Sequence, residues 1–280
     1  MGIALDLLDK NSLPKNAVVL TVDDGYKSFF ENAMPLLREF DFPATLFINT
    51  RQFGSGDFLS IQQIKQLQKE GIEIGNHSHS HAHFVNLANE LCLDSFRNDL
   101  EISQKIFREQ LGFQPQLFAY PYGEYTPDMQ DVLKEFGYTG ATAQKSGVIA
   151  TFSDRFALPR FPMAGQFVKI ENFKQKAQMK ALPVKILNAE SPLLEDNNSP
   201  QLKLKVMHPK LINMSQIQFF ADGKKQTNIA IDNEKNIISV KAAFHLNSRR
   251  TLYTITAPSR TIPLRWYWFS YLWINSSIEE

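Results

Sequence analysis

Two adjacent carboxylates, Asp23 and Asp24, close the apolar run Val18-Val19-Leu20-Thr21-Val22 and are followed at once by Gly25. Like charges that close resist joint ionisation, and a cation beside them removes the penalty. Further ligands for such a cation are available downstream, in Gly75-Asn76-His77-Ser78-His79-Ser80-His81-Ala82-His83. His77 and His81 are separated so that their side chains fall on one face of a strand and of a helical turn alike. Two imidazoles plus the Asp24 carboxylate make a His2Asp set with positions left for water, the pattern of a catalytic rather than a structural metal centre. Zn2+ is the first expectation, and Mn, Fe, Co or Ni would accept the same ligands. Taken alone, the histidine tract would equally suit a metal-binding surface strip or a polar loop. The paired acids at the end of a strand tip the balance toward a site.

The elements that must position these groups can be read from periodicity. Residues 16–22 predict a first strand, apolar enough to be covered on both faces. Phe29, Phe30, Ala33, Met34, Leu36 and Leu37 follow at helical spacing, and residues 44–49 predict a second strand. Ser60 opens a helix with Ile61, Ile64 and Leu67 on its inner side, and Gly71 closes it. Residues 72–75 then form a short strand that delivers the histidines. A long amphipathic helix is expected within 87–112, a strand at 116–120 running into Pro121-Tyr122-Gly123, a helix at 127–136 closed by Gly137, and a strand at 138–143. This alternation predicts an α/β layout with parallel strands, open or closed into a barrel. Chemistry in such folds gathers at the carboxyl ends of the strands. Asp23-Asp24, the His77–His81 stretch and Tyr120–Gly123 each follow a predicted strand and can therefore converge.

The pattern changes after about residue 180. Residues 190–200 are rich in Ser, Asp, Asn and Pro and read as a linker or loop. Short alternating runs follow at 202–206, 217–221, 228–231, 237–240, 251–256 and 264–274, which predicts a small antiparallel sandwich. The aromatic run from Trp266 to Trp273 suits the core of a final strand, or a sugar-stacking platform if one face stays exposed.

At 280 residues and 43% hydrophobic, the chain can bury a sizeable core. A formal net charge of +1 gives no support to a nucleic-acid surface or a polybasic membrane anchor. The single cysteine, Cys92, rules out an internal disulfide and reads as a small buried hydrophobe. No apolar run approaches the length of a membrane span. Residues 1–13 carry Asp6 and Asp9 and do not read as a signal peptide, so either the protein is cytoplasmic or an upstream segment is missing.

Four segments together resemble the polysaccharide deacetylase family, the NodB homology domain of carbohydrate esterase family 4. They are Thr21-Val22-Asp23-Asp24-Gly25, Pro43-Ala44-Thr45-Leu46-Phe47, Glu73-Ile74-Gly75-Asn76-His77-Ser78-His79-Ser80-His81 and Phe118-Ala119-Tyr120-Pro121-Tyr122-Gly123. The resemblance covers roughly residues 16–165. It implies a distorted (β/α)7-type barrel, here expected at residues 1–182, and the alternating runs beyond it give a smaller all-β sandwich-like domain at 183–280. It also implies removal of N-acetyl groups from amino-sugar polymers with the help of a divalent metal, and a periplasmic or cell-envelope location. By the same resemblance Asp23 is the catalytic base, Asp24, His77 and His81 are the metal ligands, and the backbone N–H of Tyr122 helps to hold the oxyanion.

Two departures from the family pattern stand out. Ala119 occupies a position where many members carry the arginine that orients the base, and Arg160, in Leu158-Pro159-Arg160-Phe161-Pro162, is the candidate substitute. The usual Leu-x-His motif that supplies the general acid is missing, for no histidine lies between Gly123 and Lys205. His79, His83 or a water could protonate the amine instead. Tyr120 and Tyr125 could line a sugar subsite, and Asn76 could orient one of the ligands. Beside the deacetylase reading stand two others: a catalytically impaired carbohydrate-binding protein that keeps fold and metal, and a same-fold amidohydrolase of small amides.

Overall fold

Parallel pairing begins where the apolar runs predict it. The computed structural model describes residues 1–194 and 199–279, and by its contacts the chain divides into two units, residues 1–143 with 154–157 and residues 144–153 with 158–280. In the first unit, helix α1 (Gly2–Asp9) precedes strand β1 (Leu20–Val22), and a π-turn with α2 (Met34–Glu39) leads to β2 (Ala44–Ile48). Helix α3 (Ile61–Lys69) leads to β3 (Glu73–Asn76), α4 (Asn89–Ile106) to β4 (Leu117–Ala119), and α5 (Pro127–Glu135) to β5 (Gly140–Thr142). The five strands pair in parallel in sequence order, β1-β2-β3-β4-β5. The sheet curls into a half-barrel, the α/β barrel class expected, with five strands among the described residues.

Local chemistry explains the boundaries. Ser60 accepts from the Gln63 N–H while the Gln63 side chain accepts from the Ser60 N–H, a capping box that starts α3. Ile64 and Leu67 then fall on the buried face, with Leu46, Ile48, Ile72 and Ile74 in the same cluster. At the far end of α4 a π-turn (Phe107–Leu111) hands over to Gly112 in the left-handed conformation. Cys92 is buried in α4 as expected, and its burial raises the thiol pKa.

The first strand differs from expectation. Residues 16–22 suggested a strand covered on both faces, whereas β1 is only three residues long and lies at the sheet edge, with β2 its one strand neighbour among the described residues. Val18 and Val19 remain 51% and 38% exposed. Hydrophobicity reported burial that an edge position does not provide.

One position in β3 leaves no room for a side chain. Gly75 is in register with Phe47 of β2, and a Cβ added there would run into the Phe47 ring, which is fully buried. Gly75→Ala is expected to cost about 1–3 kcal/mol through overpacking, read as a lowered thermal midpoint. An unchanged midpoint would mean that the β2–β3 face is looser than its geometry.

Among its described residues the second unit is all-β except for helix α6 (Ile170–Ala177) and short 3-10 turns. Strands β6 (Lys180–Ala181), β9 (Gln218–Ala221), β10 (Lys224–Gln226), β13 (Arg250–Pro258) and β14 (Trp266–Ile274) form one sheet in the order β10-β9-β13-β14-β6. Strands β7 (Val184–Ile186), β8 (Leu202–Val206), β11 (Ile229–Asp232) and β12 (Ile237–Val240) form the other, in the order β11-β12-β8-β7. Leu202, Leu204, Val206, Ile238 and Val240 from the second sheet share one core with Phe219, Tyr253, Ile255 and Ala257 from the first, which makes a sandwich. The β9–β10 connection is a two-residue turn, Asp222-Gly223, with φ of +50° and +73°, the backbone such hairpins require.

Tyr267, Tyr271 and Trp273, which share one face of β14, belong to the sandwich core. Trp268, on the opposite face of β14, donates from its indole N–H to Ser146, lies under the Lys176 ammonium at 3.6 Å and meets Phe161 edge-on. Residues 158–182, placed with the first domain by sequence, fall in the second unit, where β6 pairs with β14. Of the loop expected at 190–200, residues 195–198 lie outside the described residues.

Candidate metal centre

Each group of interest follows a strand of the parallel sheet at its carboxyl end. Asp23 and Asp24 follow β1, His77 follows β3, and the Pro121-Tyr122-Gly123 turn lies just beyond β4. Asp24 adopts φ +74° and Gly25 φ +84°, so the chain reverses tightly beyond the acids. A Cβ on Gly25 would come within 2.9 Å of Ile48, which leaves glycine as the residue that fits.

Asp24, His77 and His81 come together. The Asp24 carboxylate oxygen is 3.4 Å from His77 Nε2 and 3.6 Å from His81 Nε2, and the two Nε2 atoms are 3.2 Å apart. A tetrahedral ion with bonds of about 2.0–2.2 Å has ligand–ligand edges of about 3.3–3.6 Å, and the three atoms sit close to that triangle. The donor set, two imidazole nitrogens and one carboxylate oxygen, is one that Zn2+ accepts. These residues therefore fit a divalent ion.

The two histidines are held differently. His77 is buried, and its Nδ1 lies 2.7 Å from the Ala119 carbonyl oxygen. A carbonyl accepts only, so Nδ1 carries the proton and Nε2 presents its lone pair. His81 is 27% exposed. Its backbone N–H donates to Ser78 Oγ at 2.8 Å, and its ring packs edge-to-face on His77 and on Tyr122, with centroids 4.8 and 4.6 Å away. Burial, then the neighbouring His77 ring, holds the His81 pKa below the ordinary histidine value, which favours the neutral imidazole that a cation needs.

Residues 77–83 form neither strand nor helix but an irregular loop, with Ser78 at φ +68° and His81 at φ +55°. Non-glycine residues in that region cost roughly 1–3 kcal/mol each and persist only when surrounding contacts impose them. Asp99 supplies part of that imposition. Its buried carboxylate accepts from the His79 and Ser80 N–H groups, both at 2.7 Å, as charge-assisted bonds. The sequence signal for Asp99 was a lone acid flanked by the buried Phe96, Leu100 and Ser103 on α4.

Other groups are placed as follows. Asp23 is half-buried, and its backbone carbonyl accepts from the Gly25 N–H at 3.0 Å. Tyr122 occupies φ +56°, and its ring contacts those of His81 and His83. His79 Nδ1 is 3.0 Å from Thr50 Oγ1. His83 Nδ1 is 2.9 Å from Glu124 Oε2, a buried carboxylate that the sequence reading did not single out. Arg160 belongs to the second unit, where its backbone N–H donates to the Lys145 carbonyl.

Two expectations need correction. Asn76 does not orient a ligand; its amide donates to Ser103 Oγ and Tyr138 OH at 2.8 and 2.6 Å, tying β3 to α4 and to the chain ahead of β5. The orienting group for His77 is the Ala119 carbonyl. Tyr120 and Tyr125 stack on each other, 1% and 6% exposed, so they pack the interior instead of lining an open subsite.

In fold, the parallel half-barrel is similar to solved deacetylases. The chain superposes on the Streptococcus pyogenes deacetylase PplD solved with acetate, with a TM-score of 0.56 at 24% identity over 61% of this chain and 75% of that one. For IcaB from Ammonifex degensii the TM-score is 0.53, at 24% identity over 61% and 76%. Residues 10–141 match the profile of the polysaccharide deacetylase family, which this span resembles. In sequence it is 29% identical over 161 residues to the poly-beta-1,6-N-acetyl-D-glucosamine N-deacetylase of Staphylococcus aureus (strain MSSA476), covering 54% of this chain and 56% of that protein. It is 25% identical over 146 residues to YxkH of Bacillus subtilis (strain 168), covering 52% and 51%. The chain thus spans about half the length of the curated relatives it matches.

Proposed function

We propose that the protein is a metal-dependent hydrolase that removes N-acetyl groups from an amino-sugar polysaccharide of the cell envelope or surface. The observation that carries this reading is the triangle of Asp24, His77 and His81 ligand atoms, with edges of 3.2–3.6 Å, at the mouth of the parallel sheet. Those three residues would hold the ion, Zn2+ first and Mn, Fe, Co or Ni as alternatives. A divalent cation bound there supplies Lewis acidity, lowering the pKa of water and polarising a carbonyl.

The chain's own groups take the remaining parts. The Asp23 carboxylate accepts the proton of the attacking water as it adds to the acetyl carbonyl carbon. The Tyr122 N–H donates to the oxygen on which negative charge develops. The C–N bond then breaks, acetate departs, and the sugar nitrogen takes up a proton to leave as the amine. Arg160 is included as the cation that orients the base. Arg160→Ala is expected to lower turnover at unchanged metal content, and an unaltered rate removes Arg160 from the scheme.

The direct test is acetate release from N-acetylglucosamine oligomers, β-1,6-linked and β-1,4-linked, by protein loaded with each metal and by protein stripped with a chelator. Metal-dependent release supports the proposal. One sequence feature favours a second reading, a carbohydrate-binding protein of impaired activity: no histidine lies between Gly123 and Lys205, where the family's acid is expected. Oligomer binding without release under any metal would select that reading.

A further inference from the structure

The two metal-site histidines differ in how their rings are fixed, and the difference points to a device outside the ligand set. His77 has the Ala119 carbonyl at 2.7 Å from its Nδ1. The His81 ring is hydrogen-bonded to the backbone of His81 itself, whereas partners from other elements ordinarily set the tautomer and orientation of a ligating histidine. The His81 ring is also oriented by packing, with Tyr122 edge-on at 4.6 Å. His83 stacks on the Tyr122 ring, parallel within 11° at 3.6 Å. His83 is in turn held through Nδ1 by Glu124 Oε2 at 2.9 Å, and the Glu124 side chain is only 2% exposed.

We infer that Glu124 and His83 form a clamp on Tyr122 that positions His81 and the turn bearing the Tyr122 N–H. Glu124 fixes the plane of the His83 ring. That ring fixes the Tyr122 ring, and the Tyr122 ring braces the His81 ring from outside its own loop. The same stack holds Tyr122 at φ +56°, a conformation that a tyrosine adopts only under constraint. His83 and Glu124 are thus positioning residues, acting through Tyr122, and neither contributes a ligand to the triangle. The inference rests on the metal-site reading above.

The test uses the full chain and Zn2+ as the probe. Because loss of His83 alone would strand a buried carboxylate, both variants replace Glu124 by leucine. His83→Ala/Glu124→Leu removes the ring, and His83→Phe/Glu124→Leu keeps an aromatic ring over Tyr122. Zinc affinity is measured by competition with a chromogenic chelator, and kcat and KM by acetate release. The ring-less variant is expected to bind zinc roughly tenfold more weakly, with kcat reduced and KM within about twofold of wild type, and the phenyl variant to regain affinity to within about threefold. Rescue by the ring distinguishes positioning from a general loss of stability, which both variants would share. Equal zinc affinity in the two variants, or wild-type affinity without the ring, overturns the clamp. Zinc binding by wild type without acetate release would refute the deacetylase reading while leaving the clamp tested by affinity. No zinc binding by wild type would refute the metal site itself.

Discussion

Asp23→Asn is expected to lower kcat for acetate release by about 10²–10⁴ while leaving metal content and KM close to wild type. Asparagine matches aspartate in shape, so the short β1 end and the tight reversal at Gly25 are preserved. What disappears is the ability to accept a proton from the attacking water. The proposed ligands Asp24, His77 and His81 are untouched, and removal of a like charge beside Asp24 does not disfavour a cation. Paired measurements of acetate release and bound metal decide the matter. An unchanged rate would show that Asp23 is not the base, and loss of metal would show that it serves as a ligand instead.

The second large effect separates two residues of equal proposed role. His77→Ala and His81→Ala each leave two ligands, and each is expected to abolish metal retention and acetate release. The loss in affinity should exceed the roughly 10–100-fold that follows from removing a ligand's outer partner. Their effects on folding should differ. His77 is buried and occupies the Ala119 carbonyl, so its removal leaves a cavity and an unsatisfied acceptor, the latter alone worth about 1–3 kcal/mol. His81 is 27% exposed, and its truncation should cost no more than about 1 kcal/mol in the metal-free protein. Thermal midpoints of the stripped proteins check this: His77→Ala well below wild type, His81→Ala near it. Equal midpoints would contradict the stated burial, and retained zinc in either variant would remove that residue from the ligand set.

Much of this architecture is legible in the sequence because apolar runs and helical spacing alternate without interruption from residue 16 to residue 143. Ser60 with Gln63, Gly71, Gly112 and Gly137 mark helix ends by chemistry that is local, and local rules survive folding. The convergence of Asp24 with His77 and His81 follows from strand order, since parallel neighbours deliver their carboxyl ends to one side. What the sequence conceals is equally physical. Nothing in Val18-Val19 distinguishes an edge strand from a central one, because edge status depends on partners elsewhere. Strands β6 and β7 are too short for a period to register, and Lys180-Ala181 carries no β signature. The histidine spacing suits a strand or a helical turn, yet the chain uses neither, because Asp99 and Ser78 impose a loop through bonds that no spacing rule reports. Glu124 escaped notice for a similar reason: its burial and its hold on His83 exist only in three dimensions.

The chain's three tryptophans, Trp266, Trp268 and Trp273, all belong to strand β14, whereas among the described residues five of six α-helices are in the first unit. Indole emission is therefore a private optical channel for the sandwich, and helical ellipticity near 222 nm one dominated by the half-barrel. Denaturant titrations followed by both signals would coincide if the units melt together and diverge if they melt apart, with no label introduced. Ion-induced protection should register in the ellipticity trace first.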